Sequence, residues 1–233
     1  MTARTDMLAA LRRAVPSEAT APPRPVIRRA VSGLADPDLD VIALFRARLV
    51  EHGGEFLDVP TVAALPDVVA AFLARHQVHS VLLAAHPELR DPALRRRLHD
   101  ACDDRVHEIE DDEIRKPWHH RAIAASTTLG IGCAQAGIAD SGVIVVQSGA
   151  EESRSLSLLT DIHLAVLHAR DIVPTLYDCM PRIETLRTER ASAAITLIGG
   201  PSKTADIEKV LVTGVHGPRT FAVAVIRDAS SEH

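Results

Sequence analysis

Aromatic side chains are scarce in this 233-residue chain, which has four Phe, one Trp and one Tyr. A core must then be built from Ala, Val, Leu and Ile, a composition that favours helices packed on a buried aliphatic sheet. The same scarcity argues against base-stacking platforms for nucleic acid. Cysteine is scarce as well: Cys102, Cys133 and Cys179 stand 31 and 46 positions apart, with no Cys-x-x-Cys. Three thiols cannot supply the four ligands of an ordinary iron–sulfur cluster, and their spacing fits no zinc framework. The expectation is a chain without its own cofactor or metal. No apolar run is long enough to span a membrane, and Met1 to Val15 sets Arg4, Arg12 and Arg13 among short apolar pieces instead of a signal peptide. A reducing cytoplasm and no membrane insertion are the default.

Charge is present in both signs, 26 Lys+Arg against 31 Asp+Glu for a net −5. Basic groups such as Arg28-Arg29 and Arg95-Arg96-Arg97 lie near acidic ones, Asp103-Asp104 and Glu110 to Glu113. This mixture describes solvated helix ends and loops and argues against a nucleic-acid footprint. The length suits one large domain with an appendage. The appendage is 1–35, where Met7, Leu8, Leu11 and Val15 fall at helical spacing before Ala21-Pro22-Pro23-Arg24-Pro25. It reads either as a helix packed on its own domain or as a docking arm for a partner. An α/β domain over 36–228 and a short tail over 229–233 complete the division.

Within the domain, Asp38 or Asp40 can cap a helix carrying Leu39, Ile42, Phe45 and Leu49, stopped by His52-Gly53-Gly54. Strands are expected at 55–59, 80–84 and 105–109, with helices at 66–75 and 92–102 between them. Further on, nearly continuous aliphatic runs mark strands at 142–146, 162–167, 194–198 and 220–226. Runs without polar alternation belong to strands covered on both faces. Helices are expected between them at 131–139, 172–184 and 203–213. The predicted fold is an open, mostly parallel, doubly covered α/β sheet with an N-terminal helical arm. Ligands of such sheets gather beyond the strands' carboxyl ends, which points to the loops 147–154, 199–204 and the segment after Leu167.

Several groups in those loops carry chemistry. Gly199-Gly200-Pro201-Ser202-Lys203-Thr204-Ala205-Asp206 reads as a strand, a turn and a helix start, with Ser202 or Thr204 as cap and free amides facing an anion. It lacks P-loop spacing, and a capped connection without ligand is the plain alternative. In Gly214-Val215-His216-Gly217-Pro218, His216 can reach back as donor or proton carrier. The loop holding Glu151, Glu152 and Arg154 offers a base or nucleophile, or else helix-start acids with an arginine partner. Asp140 and Ser141 turn the chain into its best strand. His163 interrupts an apolar strand, facing either a ligand or the core. His163 and His216 with Asp206 or Asp140 suit a first-row metal, yet no close His pair supports one. Cys133 reads as a plain buried thiol, and Trp118-His119-His120 as a lid or an anchored loop.

The stretches Gly137-Ile138-Ala139-Asp140-Ser141-Gly142, Ser157-Leu158-Leu159 with His163 beyond, and above all Gly200 to Glu208 with Gly214 to Pro218, resemble the LUD (lactate utilisation) domain family, within it the protein C branch. The likeness runs from about residue 36 to 228. Two departures are Thr160-Asp161 before His163, where a proline is expected, and the Glu151-Glu152 pair. The resemblance implies a NagB/RpiA/CoA-transferase-like fold and a part in oxidising L-lactate to pyruvate beside two partner proteins, at least one bearing iron–sulfur clusters. This chain would be the cluster-free member. His216 with Asp140 and Glu151 are the candidate catalytic residues. A small carboxylate or phosphate-bearing ligand would meet Gly199, Gly200, Ser202, Lys203, Thr204, Asp206, Ser141, Arg154 and His163. The competing readings are an independent CoA-transferase-like or sugar-phosphate-isomerase-like enzyme and a non-catalytic assembly module.

Overall fold

Local signals start the first helix where the sequence places it. In a computed structural model, the Asp40 carboxylate accepts hydrogen bonds from the amides of Ile42 (3.1 Å) and Ala43 (2.9 Å), capping α1 (Val41–Glu51). Gly53, at φ +89°, ends it in the left-handed conformation that glycine adopts without strain. The structure describes residues 7, 10, 39–102, 105–108, 124–149, 151–189, 194–205, 211–213 and 217–227. The chain divides into two units, Met1–Ser32 and Gly33–His233. Of the first, only Met7 and Ala10 are described, both helical.

After α1 come β1 (Glu55–Val59), α2 (Leu65–Arg75), β2 (Val81–Leu83), α3 (Pro92–Cys102) and β3 (Val106–Glu108). Then follow β4 (Leu129–Cys133), β5 (Ala136–Ile138), β6 (Val143–Ser148), the short α4 (Leu156–Leu159), β7 (Ile162–His168) and β8 (Ile172–Val173). The second half closes with α5 (Leu176–Glu189), β9 (Ala194–Ile198), β10 (Lys203–Ala205), β11 (Leu211–Thr213) and β12 (Thr220–Ile226). Six strands form one sheet in the order β1-β12-β7-β4-β2-β3, every pair parallel. A second sheet, β8-β5-β6-β9, pairs β6 antiparallel to both β5 and β9.

Alternation along the central strands explains how the parallel sheet is buried on both sides. Leu164, Val166, Ala222, Ala224 and Ile226 join a core with Leu65, Phe72 and Leu73 of α2 and Leu94 and Leu98 of α3. Their neighbours Ala165, Leu167, Phe221, Val223 and Val225 join another with Phe45 and Leu49 of α1 and Ile144 and Val146 of β6. Each fully buried Leu or Phe contributes about 2–3 kcal/mol by leaving water. One face of the sheet is thus covered by helices. The other is covered by α1 and the second sheet.

That second cover corrects the sequence reading, which put the strands at 142–146 and 194–198 into the parallel sheet. The helix expected at 131–139 is instead the end of β4 followed by β5. Its three β5 residues are all buried between β6 and β8, and a Cβ on Gly137 would stand 2.9 Å from Leu167, so sheet pairing outweighs the helix preference of Ala and Gln. The helix expected at 203–213 is a two-stranded ribbon, β10 antiparallel to β11. The Ser202 amide donates to Pro218 O (2.9 Å) and so opens no helix. The helix expected from Ile172 starts only at Leu176, after β8. Trp118 to His120 lie outside the described residues, as does most of the N-terminal arm. Among the described residues, no helix is long and apolar enough to cross a membrane.

Candidate functional site

Two edges of the parallel sheet gather polar groups, and they do so differently. At the amino edge, the ends of α1, the β5–β6 turn and the 199–203 loop press backbone against backbone. Gly142, at φ +61°, would carry a Cβ 2.4 Å from Leu49 N, and a Cβ on Gly200 would lie 3.0 Å from His52 O. Only glycine permits such approach. Lys203 Nζ donates to His52 O at 2.6 Å, leaving its ammonium exposed beside Gly53. Gly217 packs on Ser202, and Arg219 N donates to Asp161 O (2.7 Å), tying the loop to the starts of β7 and β12.

The structure therefore brings Gly199, Gly200, Ser202 and Lys203 together with the Ser141-Gly142 turn, all around the carboxyl end of α1. It places them at the amino edge of the parallel sheet, which corrects the expectation of the opposite edge. Asp140 is exposed, its amide donating to Pro174 O (3.0 Å). Thr204 sits in β10. His216 and Asp206 lie outside the described residues. His163 is buried in β7 and stacked on Phe221 at 5.7 Å, with neither ring nitrogen partnered among the described residues. Burial alone pushes its pKa down to about 4. Arg154 is exposed in the turn before α4.

At the carboxyl edge, ionisable side chains converge from β2, β4, β7 and the loop after β6. The Ala85 amide donates to Glu151 O (2.8 Å), which folds that loop over the ends of β2 and β4. Glu151 is thereby separated from Lys203 and its neighbours. Glu152, only 3% exposed, accepts from the Cys133 amide through Oε2 (3.0 Å), while Oε1 has no partner among the described residues. Gly132 makes the room: a Cβ there would come within 2.0 Å of Oε1. Burial pushes the Glu152 pKa up to about 8, opposed by the Cys133 amide. Burial, then Glu152, Glu88 and Glu151, push the Cys133 thiol well above its ordinary value.

Nearby, His168 at the end of β7 donates from Nε2 to Glu88 Oε1 at 2.8 Å. His86, Glu88 and Cys133 each offer a ligand atom, all within 4.8 Å of one another. Sequence reasoning did not single out His86, Glu88 or His168. The available signal was positional, since all lie where parallel strands end in carboxyl termini.

Comparison with known proteins agrees with this architecture. The LUD domain family matches residues 42–226. An Escherichia coli protein, "Uncharacterized protein YkgG", is 32% identical over 151 residues, 64% of this chain and 63% of its own. "Lactate utilization protein C" of Halalkalibacterium halodurans is 36% identical over 107 residues, 45% of this chain and 46% of its own. The protein of the same name from Oceanobacillus iheyensis is 24% identical over 164 residues, 70% of each chain. The chain thus spans less than two thirds of the length of the first two relatives. A crystal structure of a DUF162 family protein from Deinococcus radiodurans superposes with a TM-score of 0.56 at 20% identity, covering 80% of this chain and 96% of that one. That likeness establishes the fold.

Proposed function

Because the chain belongs to the LUD domain family, we propose that it is an L-lactate utilisation protein, the cluster-free component of an iron–sulfur system that oxidises L-lactate to pyruvate in the cytoplasm. Relatives named lactate utilization protein C support the role. In this reading the sheet is of the NagB/RpiA/CoA-transferase kind. Oxidation removes two electrons and two protons from lactate, and the electrons pass to iron–sulfur partner proteins. Cys102, Cys133 and Cys179 are buried separately on α3, β4 and α5, which supports reading this chain as the cluster-free component.

The observation that carries the assignment of the site is the corner at the amino edge. There the described parts of the two stretches behind the family likeness, 200–205 and 217–218, meet at Ser202, and the next residue, Lys203, holds its exposed ammonium against His52 and Gly53. A fixed cation flanked by glycine backbone suits the carboxylate of a small hydroxy acid. His216 would orient the lactate hydroxyl and accept its proton.

The test is lactate-dependent dye reduction under anaerobic conditions by the chain reconstituted with its iron–sulfur partners. Omitting the chain should abolish the rate, and Lys203→Met should raise the apparent KM for lactate about tenfold, the loss expected for one charge-assisted contact. An unchanged rate without the chain overturns the proposal. If an acyl-CoA or a sugar phosphate then raises its melting temperature, the independent-enzyme reading replaces it.

A further inference from the structure

We propose that His86, Glu88 and Cys133 form a binding site for a divalent transition-metal ion with the ligand preferences of zinc, at the carboxyl edge of the parallel sheet. The site stands apart from the lactate reading and from the glycine corner at the other edge. Imidazole, carboxylate and thiolate are the donor types that such ions take together. Tetrahedral coordination with metal–ligand distances of about 2.0–2.3 Å sets donors about 3.5 Å apart. Here the three donor atoms already lie within 4.8 Å of each other, so they need to approach by only about 1 Å to enclose an ion. Their positions are fixed by different elements: His86 caps the short turn at Pro87–Arg90 that follows β2, Glu88 lies in that turn, and Cys133 ends β4.

The surroundings supply what metal ligands require of their neighbours. His168 Nε2 holds one oxygen of Glu88 at 2.8 Å, leaving the other for the ion, an imidazole–carboxylate pair of the kind that orients ligands. Glu152, itself buried, fixes the Cys133 backbone at the end of β4 by accepting from its amide at 3.0 Å. Three protein donors leave a fourth position open, and the Glu88 side chain, 37% exposed, gives the ion a way in.

The experiment loads the chelator-treated, full chain with Co²⁺ and follows its absorption. We expect one equivalent to bind with a near-ultraviolet thiolate-to-cobalt band and intense visible bands of tetrahedral cobalt. Cys133→Ser should remove the near-ultraviolet band, whereas Cys102→Ser, which alters a thiol in the α3 core, should keep it. His86→Ala and Glu88→Gln should each weaken Co²⁺ binding at least tenfold, and they serve in place of Cys133→Ser if that variant does not fold. Absence of the thiolate band in the unaltered chain, its survival in Cys133→Ser, or unchanged affinity in both His86→Ala and Glu88→Gln would overturn the site.

Discussion

The two edges of one parallel sheet are built by opposite means. The amino edge is made of backbone: Gly142 and Gly200 let main chains touch, and the exposed Lys203 ammonium rests on a carbonyl. The carboxyl edge is made of side chains, with a buried carboxylate, a buried thiol and an imidazole–carboxylate pair. What differs is what can yield. A backbone contact can relax only by moving an element, whereas a crowded side chain can swing away at the cost of its hydrogen bonds. The largest expected effect follows from this. Gly142→Ala forces a Cβ at φ +61° to within 2.4 Å of Leu49 N and should destabilise the fold by about 4 kcal/mol in urea titrations. A cost below about 1 kcal/mol would break the comparison.

Next in size is a pH effect from the interior of β7. His163 in the folded state titrates near 4 against 6.5 for the ordinary imidazole. Between those values the unfolded chain binds a proton that the folded chain does not, so the contribution of His163 to stability is complete above pH 6.5 and is lost as pH drops towards 4. The loss should reach about 3 kcal/mol by pH 4. Glu152, raised to about 8, changes stability in the opposite sense between pH 4.5 and pH 8, so the His163 share is read as the difference between the urea-midpoint profiles of the parent chain and of His163→Phe, which keeps the ring stacked on Phe221.

Gly132→Ala at the carboxyl edge should cost about 2 kcal/mol, less than Gly142→Ala, because the contact at 2.0 Å is with the end of the Glu152 side chain. Amide exchange at Cys133 should accelerate as Glu152 swings out and its bond is lost. Equal costs for the two glycine variants would mean that both edges are equally rigid. The smallest effect belongs to Arg227, beyond the end of β12, whose ion pair with Asp58 (2.7 Å) is about half exposed on both sides. Arg227→Ala should change stability by no more than about 0.5 kcal/mol, which separates surface charge at that edge from the buried groups.

The sequence makes some of this legible and hides the rest for physical reasons. Strands 194–198 and 220–226 stand where their aliphatic runs place them, strand 55–59 follows the His52-Gly53-Gly54 stop, and α1 begins at the Asp40 cap. Segments 131–139 and 203–213 mislead because short pieces rich in Ala, Gln and Lys have helical preference, while pairing with partners distant in sequence decides their structure. The glycine corner is visible as a local motif, although its edge is not. His86, Glu88, Cys133, Glu152 and His168 have no shared spacing, because only the order of the strands brings them together.

Strand order also bears on how the chain is made. Of the described strands β1 leaves a ribosome before the others, yet its partner among them is β12, the last. β12 in turn lies between β1 and β7, bonded along seven residues to the latter. Until residues 220–226 have been synthesised, β1 has no neighbour among the described strands and β7 keeps one open side. Among the described strands the middle of the sheet is then finished by the latest segment to arrive, so a nascent chain carries an unpaired β1, and after residue 168 an open side of β7 as well, and depends on remaining unaggregated until the wedge is in place.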